Sequence, residues 1–569
     1  MRESDAARAW PELGDMPDEE FRAALHAVAD WVADYRARIG ELKITPDVRH
    51  GEITASLDAS LPDGPTSFTE ILTDFQTQIM RGIVHWGHPA FLGYFGSTTT
   101  AAGILGEMLA AALNVSAMTW RTSPAATELE SVVLEWLRRM LGLPDDFTGI
   151  VYDTASVGVL HALAAAREGL GIDARAEGLS GRGDVPRLRV YASEQAHSSV
   201  EKAAIMLGVG ERNVRRVACD AAFRLDVRAL RREIERDVRE GYRPLAVVAT
   251  AGTTSTTSID ALEEIAALCT EREIWLHVDA AYGGALALLP ECRQLLRGME
   301  RADSVVVNPH KWLFVPLDFS ALYVRRPELL RATFSLVPEY LRGDAEQAER
   351  NYMDYGIQLG RRFRALKAWM VFRNFGREGL AARIREQIRL ARLFASWLDA
   401  DARFEILAPV AMAVVCFRAK RQTRSDEGEP APARSKDKSE SAFIESEDER
   451  EKDNDESALT DEGEKDSSEP ALRFEDASAL TDEDSNDDGG ENGLAETNEF
   501  NRRLLENLNA TAEVYLTHTL LRGRLAIRLA VGNVLTTEQH LARVYQLIRD
   551  EAARMDAASQ QSADAASRQ

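Results

Sequence analysis

The stretch SVVVNPHKWLFVP, residues 304–316, runs three valines into Asn308, Pro309 and His310, sets a lysine at 311, and resumes at once with Trp312, Leu313 and Phe314. A short β-branched run closed by Asn-Pro reads as a buried strand that stops there. A lysine at such an end either reaches water along its stem or loses charge to desolvation, which brings its amine towards the nucleophilic range. On this stretch alone both readings stay open.

Upstream, four more runs share the texture: GIVYDT (149–154), RLRVYAS (187–193), PLAVVAT (244–250) and IWLHVDA (274–280). Helix-like stretches lie between several of them, among them VGVLHALAAAREG (157–169), SSVEKAAIMLG (198–208) and DALEEIAALCTER (260–272). The alternation predicts βαβ units around a largely parallel sheet covered on both faces, an α/β fold. Ligand sites in such sheets lie at the carboxyl ends of the strands. Nearer the N-terminus, Phe21, Leu25, Val28, Val32 and Tyr35 recur in alternating steps of four and three behind Pro17 and three acidic residues. That pattern predicts an amphipathic helix in need of a partner surface.

The chain has 569 residues, 45% of them hydrophobic, and a formal net charge of −24. Residues 425–497 hold 27 Asp and Glu against 7 Lys and Arg, a balance of −20, which leaves only −4 for the rest. No basic cluster suits nucleic acid. The segment 421–496 has almost no aromatic or branched apolar residues and repeats SALTDE at 457–462 and 478–483, so disorder is expected there. It reads either as an acidic interaction arm or as a tolerated surface insertion. Folded texture flanks it, with AMAVVCFRAK (411–420) before and NEFNRRLLENLN (498–509) and RLAIRLAV (524–531) after. Four dispersed cysteines, an N-terminus without an apolar signal region and no long uncharged apolar run predict a soluble cytoplasmic protein with no membrane partner.

Asp279 ends the run IWLHVDA and, as an ionised carboxylate at a buried strand end, needs a cationic partner. Lys311 would serve as a structural ion-pair partner; so would a protonated pyridine nitrogen, the feature that makes pyridoxal phosphate an electron sink. Three further strand ends carry small or polar groups. DTASVG places Ser156 at a helix start suited to phosphate; SEQAHSSVEKA presents His197, which would either stack on a planar ring or be merely structural; TAGTTS offers hydroxyls. His85 and His88 are three apart, but nothing at suitable spacing completes a metal site, so no metal is expected.

Taken in order, SEQAHSSVEKA, TAGTTS, HVDAAYGG, NPHKW and LGRRFRALKAW, with HWGHPAFLGYFGSTTTAAGILGEML and TWRTSPAATELE ahead of them, resemble the group II pyridoxal phosphate-dependent amino-acid decarboxylases, most closely the aromatic-L-amino-acid decarboxylases. The resemblance implies a fold type I enzyme. Its parts would be an N-terminal helical dimerisation segment (1–95), a large cofactor-binding α/β domain (96–375), a small C-terminal domain (376–555) interrupted by the insert 421–496, and a flexible tail (556–569). It implies a homodimer with the active site at the interface.

By the same resemblance Lys311 matches the Schiff-base lysine, Asp279 the partner of the pyridine nitrogen and His197 the imidazole on the ring. Ala155, Ser156, Asn308 and His310 match positions around the phosphate, and Thr254 and Ala281 further cofactor contacts. Tyr340, in VPEYLRG, matches the mobile-loop tyrosine that protonates the α-carbon; members that instead make aldehydes replace this tyrosine or the histidine, and this chain retains both. Trp86, Tyr94, Phe95, Ser97, His197 and Gly360 match the substrate pocket, with Gly96 where the aromatic decarboxylases carry proline and Met118 where they carry an aromatic residue. Gly360 matches a position at which glycine accompanies indolic substrates. The expected activity is decarboxylation of an aromatic L-amino acid to its amine; the alternatives are the same chemistry on an acidic or aliphatic amino acid, or an inactive scaffold acting through the acidic arm.

Overall fold

The computed structural model describes residues 15–57, 60–96, 99–336, 350–420 and 490–567. Seven strands form the larger sheet: β1 (Thr148–Tyr152), β2 (Leu188–Ser193), β3 (Val214–Val217), β4 (Arg243–Thr250), β5 (Trp275–Asp279), β6 (Ser304–Val307) and β7 (Ser320–Val324). Their spatial order is β1-β7-β6-β5-β4-β2-β3. The pairs β2–β3, β2–β4, β4–β5 and β5–β6 are parallel, whereas β7 runs antiparallel to both β6 and β1. The expected α/β architecture is therefore present, with one reversed strand inside it.

The sequence explains the layering. Strands β2, β5, β6 and β7 are buried at every residue, as unbroken apolar runs require when both faces are covered. Helix Ala155–Gly169, which follows β1, is buried continuously from Gly158 to Ala166; its small residues let it lie close against the sheet. Two strands of this sheet escaped the sequence reading. VRRV of β3 carries two arginines on an edge strand, and SALYV of β7 returns antiparallel to β6 across a connection whose helical part is the single turn Pro309–Trp312, outside the expected βαβ alternation.

A second sheet, β8 (Phe404–Ile406), β9 (Val414–Ala419), β10 (Thr517–Leu521) and β11 (Arg524–Ala530), is wholly antiparallel in the order β10-β11-β9-β8. One contiguous apolar cluster takes in side chains from Ile44 to Met555, so the two sheets share a core. Residues 421–489, most of the acidic segment, lie outside the described residues. Its expected last residues, 490–496, instead open the helix Gly490–Ala510. The backbone of 556–567 is likewise helical, not an irregular tail, as the last turns of Glu538–Ser567; this Ala-rich stretch contains no Gly or Pro to stop it. Helix Asp18–Arg38 buries none of its residues, and Phe21 is 56% exposed.

Candidate active site

The carboxyl ends of β4, β5 and β6 lie side by side, with Thr250 in register with Asp279 and Asp279 with Val306. Backbone bonds continue beyond the strands: the Ala251 N–H donates to Asp279 O at 2.9 Å, Ala280 to Val306 O at 3.0 Å and Asn308 to Ala281 O at 3.1 Å. The loops pack so closely that a Cβ on Gly283 would stand 2.4 Å from the Ala251 carbonyl oxygen, which leaves glycine as the residue that fits.

Asp279 is 7% exposed and accepts the Ala281 N–H at 3.1 Å. Among the described residues no Lys, Arg or His lies within ion-pair distance of it. The direct Asp279–Lys311 salt bridge that the sequence left open is therefore not formed. Lys311 follows β6 on the single turn Pro309–Trp312. Its side chain is half-buried, and its pKa is lowered, first by desolvation, against the pull of Asp279 and with a further push from Arg528. Its Nζ stands 5.2 Å from the Phe95 ring centroid. Phe95 stacks on Tyr282 at 3.9 Å and Tyr282 on Trp312 at 4.4 Å, a column that fixes the floor beside the lysine.

His197 is exposed, and its Nδ1 accepts the Ser199 N–H at 3.2 Å and lies 3.0 Å from Ser199 Oγ. Its pKa is lowered by desolvation, and both Asp279 and Lys311 act on it electrostatically, which places all three in one field. Asn308 is buried with Oδ1 unpartnered. Half-buried Ala155 and exposed Ser156 open the helix after β1, where the first N–H groups have no acceptor within the helix. His310 turns inward: Nδ1 accepts the Phe319 N–H at 2.9 Å, and burial pushes its pKa down to about 4. Thr254 is exposed and Ala281 buried.

Trp86 and Tyr94 are exposed and stack at 5.4 Å. Gly360 is exposed, and among the described residues nothing lies within 4 Å of a Cβ built on it. Ser97 and Tyr340 lie outside the described residues.

Sequence reasoning missed Arg528. It is 4% exposed on β11 and donates from Nε to Ser255 O at 3.1 Å and from Nη1 to Tyr94 O at 2.7 Å. Its Cζ lies 4.6 Å from the Phe95 ring centroid, and its buried Nη2 has no partner among the described residues. The signal was present in RLAIRLAV, a charged residue inside an apolar strand.

These groups fit pyridoxal phosphate. Among the described residues, a buried carboxylate without a protein cation suits a ring N–H⁺, a helix start with free N–H groups suits a phosphate, and an amine with a lowered pKa suits an aldehyde.

Comparison with known proteins agrees. Residues 51–420 match the model of the pyridoxal-dependent decarboxylase conserved domain. The chain is 35% identical over 557 residues to tyrosine/DOPA decarboxylase 2 of Papaver somniferum, covering 96% of this chain and 95% of that one. It is 34% identical over 546 residues to tryptophan decarboxylase TDC2 of Camptotheca acuminata, covering 94% of each. The crystal structure of Oryza sativa TDC with pyridoxal phosphate and tryptamine superposes with a TM-score of 0.79 at 31% identity, over 95% of this chain and 99% of that one. The chain belongs to the pyridoxal-dependent decarboxylase family.

Proposed function

We propose that this chain decarboxylates an aromatic L-amino acid to the corresponding amine and carbon dioxide. The observation that carries the reading is the pairing, across adjacent strand ends, of a buried carboxylate without a cation and a lysine with a lowered pKa, beside an aromatic wall. Its similarity to tryptophan and tyrosine/DOPA decarboxylases supports the substrate class.

When bound, pyridoxal phosphate supplies an aldehyde for the substrate nitrogen and a pyridinium ring that accepts the electron pair left as carbon dioxide departs. Asp279 would hold the ring nitrogen protonated, and His197 would lie against the ring. Ala155, Ser156 and Asn308 would hold the phosphate, with His310, Thr254 and Ala281 shaping the surrounding wall. Lys311, whose amine gives up its proton more readily than an ordinary lysine, would carry the cofactor and displace the product. Arg528 would take the substrate carboxylate on its unpartnered Nη2. Trp86, Tyr94, Phe95 and Ser97 would bound the side chain, and Tyr340 would deliver the proton that replaces carbon dioxide.

The reading includes a cytoplasmic homodimer. Phe21 and Leu25 on helix Asp18–Arg38, and Leu105, Met108, Leu109 and Leu113 on helix Ala101–Leu113, are exposed apolar residues of the kind a second copy covers. Gly360 and Met118 would then meet the partner's site. All four cysteines are free thiols, in keeping with a reducing compartment.

The test is turnover on a panel of tryptophan, tyrosine, DOPA, glutamate and an aliphatic amino acid, with detection of amine and aldehyde together. Amine from an aromatic substrate is expected. Amine only from glutamate or the aliphatic amino acid, or aldehyde as the main product, overturns the proposal.

A further inference from the structure

The C-terminal sheet reaches into the substrate wall through a residue that the site's motifs do not contain. Tyr515 lies just ahead of β10 and forms a parallel β-bridge with Phe91. The Leu92 N–H donates to Tyr515 O at 2.9 Å and the Tyr515 N–H to Ala90 O at 3.2 Å, so its backbone is laced to the segment that leads into Tyr94. Its ring stacks on Phe91 at 5.0 Å with 1° between planes, Phe91 lies 4.7 Å from Trp86, and Trp86 stacks on Tyr94. Four rings thus make one cluster, and two of them, Trp86 and Tyr94, stand open at its mouth.

Tyr94 needs external support. Its φ of 54° lies in the left-handed region, which is uncommon for a bulky residue. The preceding Gly93 has no room for a side chain, because a Cβ there would stand 2.7 Å from the Tyr515 ring. Two contacts hold Tyr94 from the C-terminal part of the chain: Arg528 Nη1 on its carbonyl at 2.7 Å, and the Tyr515 hydroxyl 3.5 Å from its own. The second is long for a direct bond, so ring packing on Gly93 contributes alongside it.

Resting on the aromatic-substrate reading of this site, we infer that Tyr515 is a positioning residue that sets the rotation of the Tyr94 ring and thereby the selectivity of the pocket among aromatic side chains. It touches the wall and not the reacting atoms. Changing it therefore alters KM and the ratio between substrates while sparing the chemical step.

The test uses the full-length holoenzyme. Y515L removes the ring and Y515F only the hydroxyl, leaving the Phe91 stack and the Gly93 contact. For Y515L, KM is expected to rise roughly tenfold, the scale of a modest change in an apolar pocket, with a changed tryptophan-to-tyrosine ratio of kcat/KM. Y515F is expected to show a smaller shift in the same direction, with kcat within about twofold of wild type in both. In a double-mutant cycle Y94F and Y515F should be non-additive. Unchanged KM and ratio in both variants, a fall in kcat that matches the rise in KM, or additivity of the two changes overturns the assignment. Y515F retains the packing, so a folding failure of Y515L leaves the test intact. If the wild-type enzyme makes no amine from any aromatic amino acid, the aromatic reading falls by itself. The KM comparison then moves to the amino acid it does decarboxylate, and equal values there overturn the role of Tyr515 as well.

Discussion

Replacing Arg528 with methionine keeps most of the volume and deletes the charge. The structure separates what is lost. Ser255 O and Tyr94 O each lose a donor, a cost to the fold and to the wall. In the proposed complex the substrate carboxylate loses its bond to Nη2, and a hydrogen bond to a charged group contributes about 1.5–3 kcal/mol. At 1.4 kcal/mol per factor of ten, this corresponds to roughly a 10- to 150-fold rise in KM for the amino acid. The product amine has no carboxylate, so its inhibition constant should move by less than about threefold if only that bond is lost. Arg528 is also one of the influences that lower the Lys311 amine, so in the variant that amine should titrate nearer to an ordinary lysine. The assay is steady-state decarboxylation with product inhibition at fixed pH. Equal losses for amino acid and amine would refute carboxylate recognition by Arg528, as would a KM within threefold of wild type.

Asp279→Asn should cut turnover by more than about a hundredfold, the scale of removing one electrostatic contact to the reacting system, and weaken cofactor retention; absorbance of the bound cofactor after dialysis checks the second effect. Burial holds His310 and His277 at about 4 and His161 at about 3, below the usual 6.5. The unfolded chain therefore binds more protons between about pH 4 and 6.5, and stability is full above 6.5 and falls as pH drops through that window. Asp260, raised by burial to about 6, works the other way between its ordinary value and 6, and offsets one histidine of the three. His161→Leu should flatten the acid slope by about 1.4 kcal/mol per pH unit, since neither ring nitrogen has a partner to lose; urea midpoints at pH 5 and 7 measure it. Glu130→Gln leaves the Arg361 guanidinium buried without its carboxylate partner at 2.6 Å, and should cost about 3–5 kcal/mol. A lowered urea midpoint is the expected result.

The strands that lead to Asp279 and Lys311 were legible because strands buried on both faces read as unbroken apolar runs; Asp279 ends one, and Lys311 follows the other on a single helical turn. What stayed hidden depended on distance along the chain or on a reversal of pattern. Glu130 and Arg361 meet across 231 positions, and nothing local marks either as a buried ion. In RLAIRLAV, strict alternation would send Arg528 outward to water, but both sides of β11 are covered here, so a position that looks solvated is 4% exposed. Strand β3 was invisible because an edge strand can afford VRRV. His310 fits the motif by position, yet its ring is tied to the Phe319 backbone, a contact that spacing does not disclose. The stretch after 556, expected as a flexible tail, is helical because alanine carries the helix through it.

The reversed strand has a mechanical consequence. Because β7 runs back beside β6, the Lys311 amine hangs from the connection 308–319, clamped at both ends by neighbouring strands of one sheet. A parallel successor would need a crossover that leads the chain back to the opposite end of the sheet, away from the end where Lys311 sits. The chain can therefore tolerate few extra residues between Val307 and Ser320, where each added residue would lengthen the leash on the nitrogen.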